Sequence, residues 1–340
     1  MRSNDVSNSR AMILNAVLSS LVVVLLASCG LPHAGRVATV PAPVAPLAVV
    51  LTTDCGVDMD DQWALTHIVL SPELDLREIV TTHASSIHFS SATSARTAAE
   101  VLSRVAPRKS ASVPIVAGAD APLQDVSTPR ENAGANVLLS LSREFSESRR
   151  LVVLSIGAAT DVASAILKDP SFAERVAVVA MGFRDWPQGG DEFNIKNDPV
   201  AWQVLLNSRV PLVVGSAEAA KRSLRLNRAE AARVMSAHGS TGEYLYGLFD
   251  EWLTRNSELV AHVVAPGTWV VWDEVVVAYI LGLARGETVA RPRLQPDLFF
   301  AHPSTRERIT WITRIDSDRL WRDLTRKIDD RDRSTAGRPH

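Results

Sequence analysis

From residue 48 onward, apolar runs alternate with stretches that have the spacing of amphipathic helices. Six apolar runs bounded by turn residues predict buried strands: Ala48–Thr53, Leu76–Thr82, Val113–Val116, Leu151–Ile156, Val176–Met181 and Val210–Val214. Helices are predicted between them at Gln62–Leu70, Thr93–Val105, Thr160–Leu167 and Pro199–Asn207. Continuous apolar strands separated by helices are typical of parallel sheets covered on both faces. The pattern therefore predicts an α/β fold with a Rossmann-like, mostly parallel central sheet and helices on both faces.

After Val214 the pattern becomes mainly helical. Four helices are predicted there: Ala217–Arg222, Arg228–Ser236, Thr241–Arg255 and Glu274–Ala284. A second strand-rich piece is predicted around residues 294–301 and 310–315. Because no internal repeat or linker interrupts the pattern, we interpret residues 48–330 as a single domain. The strongly charged residues 331–340 are predicted to be a disordered tail.

The first 47 residues have a different character. Two arginines precede an apolar run that ends in the sequence LASC at residues 26–29, which is typical of a bacterial lipoprotein signal. We predict a signal peptide over residues 1–28, an acylated Cys29, and a Pro/Ala-rich tether over residues 29–47. The alternative is an ordinary signal peptide or a membrane helix, although the apolar run is short for a span. The expected location is the cell envelope, where an exported protein is anchored to a membrane by its lipid.

Composition narrows the classes of function. The chain has 340 residues, 46% of them hydrophobic, and a net charge of −2. Such a chain can bury a large core, but it offers no basic surface for nucleic acid or for an anionic membrane. Cys55 is the only cysteine in the predicted domain, so no disulfide can form within it. Neighbouring carboxylates also disfavour a thiolate nucleophile there.

Four aspartates lie in one short loop between the first predicted strand and the first predicted helix: Asp54, Asp58, Asp60 and Asp61. A helix cap explains one or two of them. The others repel one another unless a cation neutralises them, and an oxygen-only ligand set suits Ca²⁺ or Mg²⁺. Neither an EF-hand nor a phosphate-binding loop fits the spacing. Ligands of parallel α/β folds bind beyond the carboxyl ends of the strands, where this loop lies.

Several segments together resemble the calcium-dependent nucleoside hydrolases, a family that prefers inosine and uridine. The family pattern D-x-D-P-G-x-D-D-A-x-A-L is similar to TTDCGVDMDDQWAL at residues 52–65, which has Thr for the first Asp and two extra residues. Later matches are SIGAATDVA at 155–163, MGF at 181–183, EFNI at 192–195 with DP at 198–199, and WDEVVVA at 272–278. A weaker match is PIVAG at 114–118. All occur in the family's order.

The resemblance implies the nucleoside hydrolase fold and hydrolysis of the N-glycosidic bond of nucleosides or related ribosides by water activated at an Asp-ligated Ca²⁺. It implies that Asp54 is the catalytic base. The implied metal ligands are Asp54, Asp61, Asp273 and the backbone carbonyl of Thr160. The implied substrate-binding residues are Asp60, Glu192 and Asn194. Family members are usually dimers or tetramers, so a homo-oligomer is an open alternative to a monomer.

Several positions depart from the family pattern, among them Asp161, where the family has Asn after the metal-binding Thr. Asp58 falls within the two extra residues. We count it among the candidate substrate-binding residues without a fixed role: it could replace Asp60 on the sugar, support the site from behind or bend the loop. Ser85-Ser86 replaces a Gly-Asn pair that reaches the sugar. Trp272 replaces the His that precedes the last metal-ligating Asp. Tryptophan cannot protonate a leaving base, although it can stack on a flat ring or serve as a core aromatic.

These departures leave the leaving-group acid open. His83, His88 and His262 are spare candidates, although a lone histidine is more often structural. The alternative function is a catalytically impaired lipoprotein of the same fold that binds a sugar or nucleoside. A metal-dependent phosphatase is a weaker alternative, because the acidic loop lacks neighbouring basic residues that would hold a phosphate.

Overall fold

A computed structural model describes residues 46–336, with side chains described to residue 333. Its strands are β1 Leu47–Thr53, β2 Leu74–Thr81, β3 Ile115–Ala117, β4 Leu151–Ser155, β5 Val176–Met181, β6 Leu212–Gly215, β7 Arg225–Asn227, β8 Thr268–Val270, β9 Ala284–Ala290, β10 Arg293–Leu294, β11 Phe300–Ala301 and β12 Arg308–Ile315. Eight of them form one sheet in the order β3-β2-β1-β4-β5-β6-β12-β9. All neighbouring pairs in it are parallel except β12 with β9.

The helices lie mainly between these strands along the chain. They are α1 Asp60–Leu70, α2 Ser91–Val105, α3 Pro107–Ser110, α4 Ala133–Ser142, α5 Thr160–Lys168, α6 Phe172–Arg175, α7 Phe193–Asn197, α8 Pro199–Asn207, α9 Ala217–Ser223, α10 Arg228–Met235, α11 Gly239–Arg255, α12 Ser257–Val263, α13 Glu274–Ile280 and α14 Ser317–Ala336. A 3₁₀ turn covers Ser85–Ile87. No helix of residues 46–336 is both long and apolar enough to cross a membrane.

Burial of both sheet faces explains the apolar runs. Strands β4 and β5 are buried at every residue, and successive side chains of β1 enter two different core clusters. Val49 and Leu51 pack in one cluster and Val50 in the other, as the two-residue period of a strand requires. Each such side chain stabilises the fold by about 1.5–3 kcal/mol. The predicted α/β fold with a mostly parallel sheet is confirmed.

The sheet register brings the carboxyl ends of its central strands to one edge. Thr52 of β1 pairs with Ser155 of β4, and Ser155 pairs with Ala180 of β5. Met181 at the end of β5 pairs with Gly215 at the end of β6. The loops that follow these four strands therefore begin side by side, which positions the acidic loop next to segments more than a hundred residues away.

Several predicted boundaries were wrong. The helix predicted to Ala284 ends at Ile280, and Ala284–Ala290 forms strand β9. This strand was missed because it is a mostly exposed edge strand with the polar sequence ARGETVA. The predicted strand-rich piece at 294–301 contains only the two short strands β10 and β11.

The chain ends also differ from the prediction. Strand β1 already begins at Leu47, the last residue of the predicted tether. Residues 331–336 belong to helix α14, so the boundary of the predicted disordered tail was wrong there. Leu320, Leu324 and Ile328 are fully buried at four-residue spacing, which gives this helix the apolar stripe that holds it on the domain. The predicted signal peptide, Cys29 and the tether up to residue 45 lie outside the described residues.

Candidate active site

A cavity of about 410 Å³ opens at the carboxyl edge of the sheet, a volume that suits a small ligand. Of the nine residues that the sequence predicted as site residues, eight line it: Asp54, Asp58, Asp60, Asp61, Glu192, Asn194, Trp272 and Asp273. They come from the loop after β1 and the first turn of α1, from the start of α7, and from the two residues before α13. Tertiary structure thus brings three distant chain segments to one cavity.

Three carboxylates form the tightest cluster in it. Asp60, Asp61 and Asp273 each offer an oxygen within 4.8 Å of the others. The Thr53 hydroxyl donates to Asp61 Oδ1 at 2.5 Å, and the Asp273 backbone N–H donates to Asp60 Oδ2 at 3.3 Å. Asp60 and Asp61 are also in the first turn of α1, where the helix dipole favours negative charge. The end of β1 and the first turn of α1 therefore fix the positions of these carboxylates before any ligand binds.

Asp54 lies beside this cluster and packs closely against Gly157, where a larger residue would not fit. A Cβ on Gly157, in the loop after β4, would come within 2.8 Å of Asp54 Oδ1. Asp54 Oδ2 is buried and has no hydrogen-bond partner among the described residues. A carboxylate oxygen in that state is costly unless a ligand or a cation satisfies it.

Electrostatics point in the same direction. Burial raises the pKa of Asp54 well above its usual range, and the charge of Asp60 raises it further. Burial and neighbouring carboxylates likewise raise the pKa values of Asp61 and Asp273. Burial raises the pKa of Asp60 to about 6. Neighbouring carboxylates are the charges that raise the pKa values of Asp54, Asp61 and Asp273, so the ionised cluster is unfavourable by itself.

The donor set fits a hard divalent cation. Clustered carboxylate oxygens, an unpartnered buried oxygen on Asp54 and raised pKa values together form an oxygen-only site of the kind that binds Ca²⁺ or Mg²⁺. Asp61 and Asp273 belong both to the predicted ligands and to the observed cluster. Asp60 was predicted only as a sugar ligand, and its position adds it to the candidate cation ligands.

Glu192 and Asn194 are fixed by the start of helix α7. Glu192 Oε2 caps this helix by accepting the backbone N–H groups of Asn194 at 2.9 Å and Ile195 at 3.2 Å. The Asn194 amide donates to the Ile156 carbonyl at 3.2 Å. Burial raises the pKa of Glu192 to about 7. Both side chains line the cavity and keep a further oxygen for a polar ligand.

Thr160 is the one predicted site residue that does not line the cavity. Its hydroxyl donates to Asp198 Oδ2 at 2.6 Å and lies 3.0 Å from His83 Nε2, in a polar network behind the site. The role predicted for its backbone carbonyl stays a prediction. Burial lowers the pKa of His83 to about 4, so this histidine is neutral at pH 7.

The spare histidines do not supply the missing acid from within the cavity. His83 is buried away from it, and His88 and His262 are exposed on the surface. None of the three is among the described residues that line the cavity. Among the described residues, Trp272 lines the cavity where the family has a histidine, and no imidazole lines it.

The sequence analysis missed two further tryptophans of the cavity, Trp252 in α11 and Trp269 in β8. The ring of Trp269 lies 5.6 Å from that of Trp252 and 5.9 Å from that of Trp272. We call these three residues the tryptophan wall. The only sequence signal is that three of the chain's eight tryptophans fall between residues 252 and 272.

The fold and the site define an α/β protein with a carboxylate-lined ligand cavity at the carboxyl edge of its mostly parallel sheet, and the comparisons with known proteins give its family. Residues 49–322 match the model of the family described as inosine-uridine preferring nucleoside hydrolase. The chain belongs to this family.

Solved structures share the fold. A plant nucleoside hydrolase, PpNRh1, superposes with a TM-score of 0.67 at 18% identity, covering 84% of this chain and 99% of the other. A purine-preferring ribonucleoside hydrolase from Gardnerella vaginalis gives a TM-score of 0.68 at 17% identity, covering 84% of this chain and 98% of the other.

The alignments with curated relatives cover a smaller part of the chain than the structural superpositions do. A pyrimidine-specific ribonucleoside hydrolase, RihA, from Klebsiella pneumoniae is 24% identical over 204 residues, which are 52% of this chain and 63% of the relative. The chain thus spans less than two thirds of the length of this relative.

A divalent cation is expected to stabilise the protein, because it would neutralise the buried carboxylates. At about a hundredfold excess over its dissociation constant, a ligand specific for the folded state adds about 2.7 kcal/mol to the free energy of unfolding. Thermal unfolding with calcium and with a chelator measures this shift. Asp273→Asn should remove most of it, whereas Asp125→Asn, in an exposed loop outside the cavity, should keep it. An equal shift in both variants would contradict a cation site at Asp273.

Proposed function

We propose that this protein hydrolyses the N-glycosidic bond of ribonucleosides or related ribosides, with a divalent cation, Ca²⁺, held by carboxylates of the cavity. One observation supports it most. The buried carboxylates of Asp60, Asp61 and Asp273, which come from the two ends of the domain, meet in one cavity of about 410 Å³, a volume that suits a small ligand. The family to which the chain belongs supports the same chemistry.

The reaction needs groups that stabilise positive charge on the sugar, because the transition state of glycoside hydrolysis resembles an oxocarbenium ion. With a divalent cation bound, the carboxylates of Asp54, Asp60 and Asp61 would be ionised and would provide negative charge in a buried setting. A bound divalent cation would orient sugar hydroxyls and lower the pKa of a water molecule. Asp54 accepts the proton of the attacking water at Oδ2, the oxygen without a partner among the described residues.

Sugar recognition in this proposal uses fixed polar side chains. Glu192 and Asn194 are held by the helix start and by the Ile156 carbonyl, so they lose little freedom when they bind hydroxyl groups. Trp272 is half-buried in the cavity and offers an aromatic face to the base. The base then leaves without a proton from an imidazole, which favours substrates whose leaving group needs little help.

Release of reducing sugar from inosine and uridine is the experiment that tests this proposal. With calcium present we expect turnover of at least one of a panel of purine and pyrimidine ribonucleosides, and a chelator should remove it. The matched control is the same assay with free ribose and base, which fixes the background. If calcium-loaded protein released no sugar from any ribonucleoside, the proposed activity would be wrong.

A second candidate function is a protein of the same fold that binds a nucleoside or sugar without turnover. The cavity favours it in one respect, because no histidine among the described residues lines it. This candidate predicts that a nucleoside raises the unfolding temperature while no sugar is released. The Asp54 variant in the Discussion separates the two candidates.

A further inference from the structure

Asp58 is the acidic-loop residue to which the family resemblance gives no role. Its Oδ1 accepts the backbone N–H of Met59 at 2.5 Å, and its Oδ2 accepts the indole N–H of Trp269 at 2.7 Å. Each carboxylate oxygen therefore already has a donor within the protein. The bond to Trp269 joins residues 211 positions apart and links the acidic loop to strand β8.

Trp269 is the centre of the tryptophan wall. It is 4% exposed, and its ring is inclined by 50° to that of Trp252 and by 86° to that of Trp272. Ring separations of this size are typical of attractive aromatic pairs, which depend on orientation. A rotation of the central indole would therefore disturb both neighbours, and all three rings line the cavity.

We propose that Asp58 is a positioning residue: its carboxylate fixes the Trp269 indole and so sets the tryptophan wall that recognises the flat base of the substrate. This inference rests on the proposed function, since it assigns the base-recognising side of the same cavity. The hydrogen bond from the buried indole N–H to Asp58 Oδ2 fixes the orientation of the ring, which packing alone does not. In this proposal Asp58 acts on the substrate indirectly, through Trp269, rather than by contact with the sugar.

The chemistry of the two halves of a nucleoside supports this division. Ribose hydroxyls are recognised by oxygen ligands and amides, which Asp60, Glu192 and Asn194 supply. A heteroaromatic base is recognised by aromatic faces and edges, which the tryptophan wall supplies. Asp58 contacts the wall and not these polar side chains in the hydrogen bonds of the described region.

Binding of whole and partial ligands tests the inference without requiring turnover. The probes are ribose, which lacks a base, and the C-nucleosides pseudouridine and formycin, whose carbon–carbon glycosidic bonds resist hydrolysis. Dissociation constants are measured by calorimetry with calcium for the wild type, Asp58→Asn, Trp269→Phe and the double variant. Asp125→Asn is the matched control, because Asp125 also accepts backbone N–H groups of its own loop but is exposed and outside the cavity.

We expect Asp58→Asn to weaken binding about tenfold or more for whichever of the two C-nucleosides binds the wild type more tightly. The Asn side chain has one acceptor oxygen, whereas the Met59 N–H and the Trp269 indole N–H are two donors. Ribose binding should stay within about twofold of the wild type. Trp269→Phe should weaken the same C-nucleoside, and the double variant should be no weaker than the worse single variant, as expected for two residues that act as one unit. Near-ultraviolet circular dichroism should show the altered tryptophan packing in both single variants.

Three outcomes would overturn the inference. An equal loss of ribose and C-nucleoside binding would mean that Asp58 acts on the sugar or the cation. Additive losses in the double variant would mean that Asp58 does not act through Trp269. Wild-type protein that bound none of the probes would reject the proposed function, and this inference with it. Since Trp269→Phe keeps an aromatic ring in the core, it tests the same contact if Asp58→Asn fails to fold.

Discussion

Replacement of Asp54 by Asn is expected to lower the kcat of ribonucleoside hydrolysis by at least about a thousandfold, as loss of a general base does. The amide has nearly the same shape as the carboxylate but cannot accept the proton of water. Asp54 Oδ2 is the buried oxygen without a partner, so no other described group is already bound where this proton would go. Initial rates of sugar release from the best nucleoside, at saturating calcium, measure the effect.

The same variant should leave the protein folded and more stable without calcium. Burial and the charge of Asp60 raise the pKa of Asp54, which means that its ionised form is destabilising at this position. Removing one of several like charges therefore raises the free energy of unfolding in chelator. An activity loss with a stability gain would separate chemistry from folding, a trade-off common at active sites.

The outcome also decides between the two candidate functions. A binding protein without turnover predicts no measurable hydrolysis in the wild type, so Asp54→Asn could change only affinity. If the wild type is active and the variant retains more than a tenth of its rate, Asp54 is not the base. Asp125→Asn serves again as the control and should keep the wild-type rate, because Asp125 is exposed and outside the cavity.

Replacement of His67 by Ala is expected to cost about 3–5 kcal/mol of unfolding free energy, the usual effect of leaving a buried charge without its partner. The imidazole is fully buried. Its Nδ1 lies 2.9 Å from Glu274 Oε2 and its Nε2 lies 3.1 Å from Asp323 Oδ2. Lys327, 3% exposed, contacts the same Asp323 oxygen at 2.5 Å. Urea unfolding at pH 6 measures the loss.

A surface pair of the same chemistry is the matched control. His238 Nδ1 lies 2.9 Å from Asp329 Oδ1, but both side chains are partly exposed. His238→Ala should therefore cost no more than about 1 kcal/mol. If the two variants lost equal stability, burial would not be what makes the His67 network strong.

The pH dependence of stability gives a second measurement on His67. Burial by itself would lower its pKa, but Glu274 and Asp323 outweigh burial, and the pKa is raised above 6.5. Its contribution is therefore complete below the ordinary histidine pKa and is lost as the pH rises through the raised value in the folded state. As the pH rises from below the ordinary histidine pKa through the raised folded-state pKa of His67, the wild type should lose more stability than His67→Gln. Parallel curves would contradict a charged imidazole.

This network also bears on the site. Glu274 directly follows Asp273, and His67 is on α1, the helix that begins with Asp60 and Asp61. The buried histidine thus ties together the two helices whose first residues form the carboxylate cluster. It joins residues 207 positions apart, and nothing in the local sequence around His67 indicates it.

Elements with a strong local pattern could be predicted from the sequence. The strands around Val50, Val153 and Val178 are short apolar runs because both faces of the sheet are covered, and the periodicity shows this directly. The acidic loop was found because its residue types and spacing are themselves the chemical signal, whereas the Glu-Phe-Asn-Ile segment was found through its resemblance to a family motif. Strand β9 was not found, because an exposed edge strand needs no apolar pattern.

By itself, the sequence determined the α/β fold, the order of the site segments and eight of the residues that line the cavity. Only the tertiary structure decided that Asp60 joins Asp61 and Asp273, that Asp58 holds Trp269, and that His67 bridges two carboxylates. The physical reason is the range of the forces involved. Periodicity and turn chemistry act between near neighbours in the chain, whereas these contacts depend on where the packed sheet places residues that are distant in sequence.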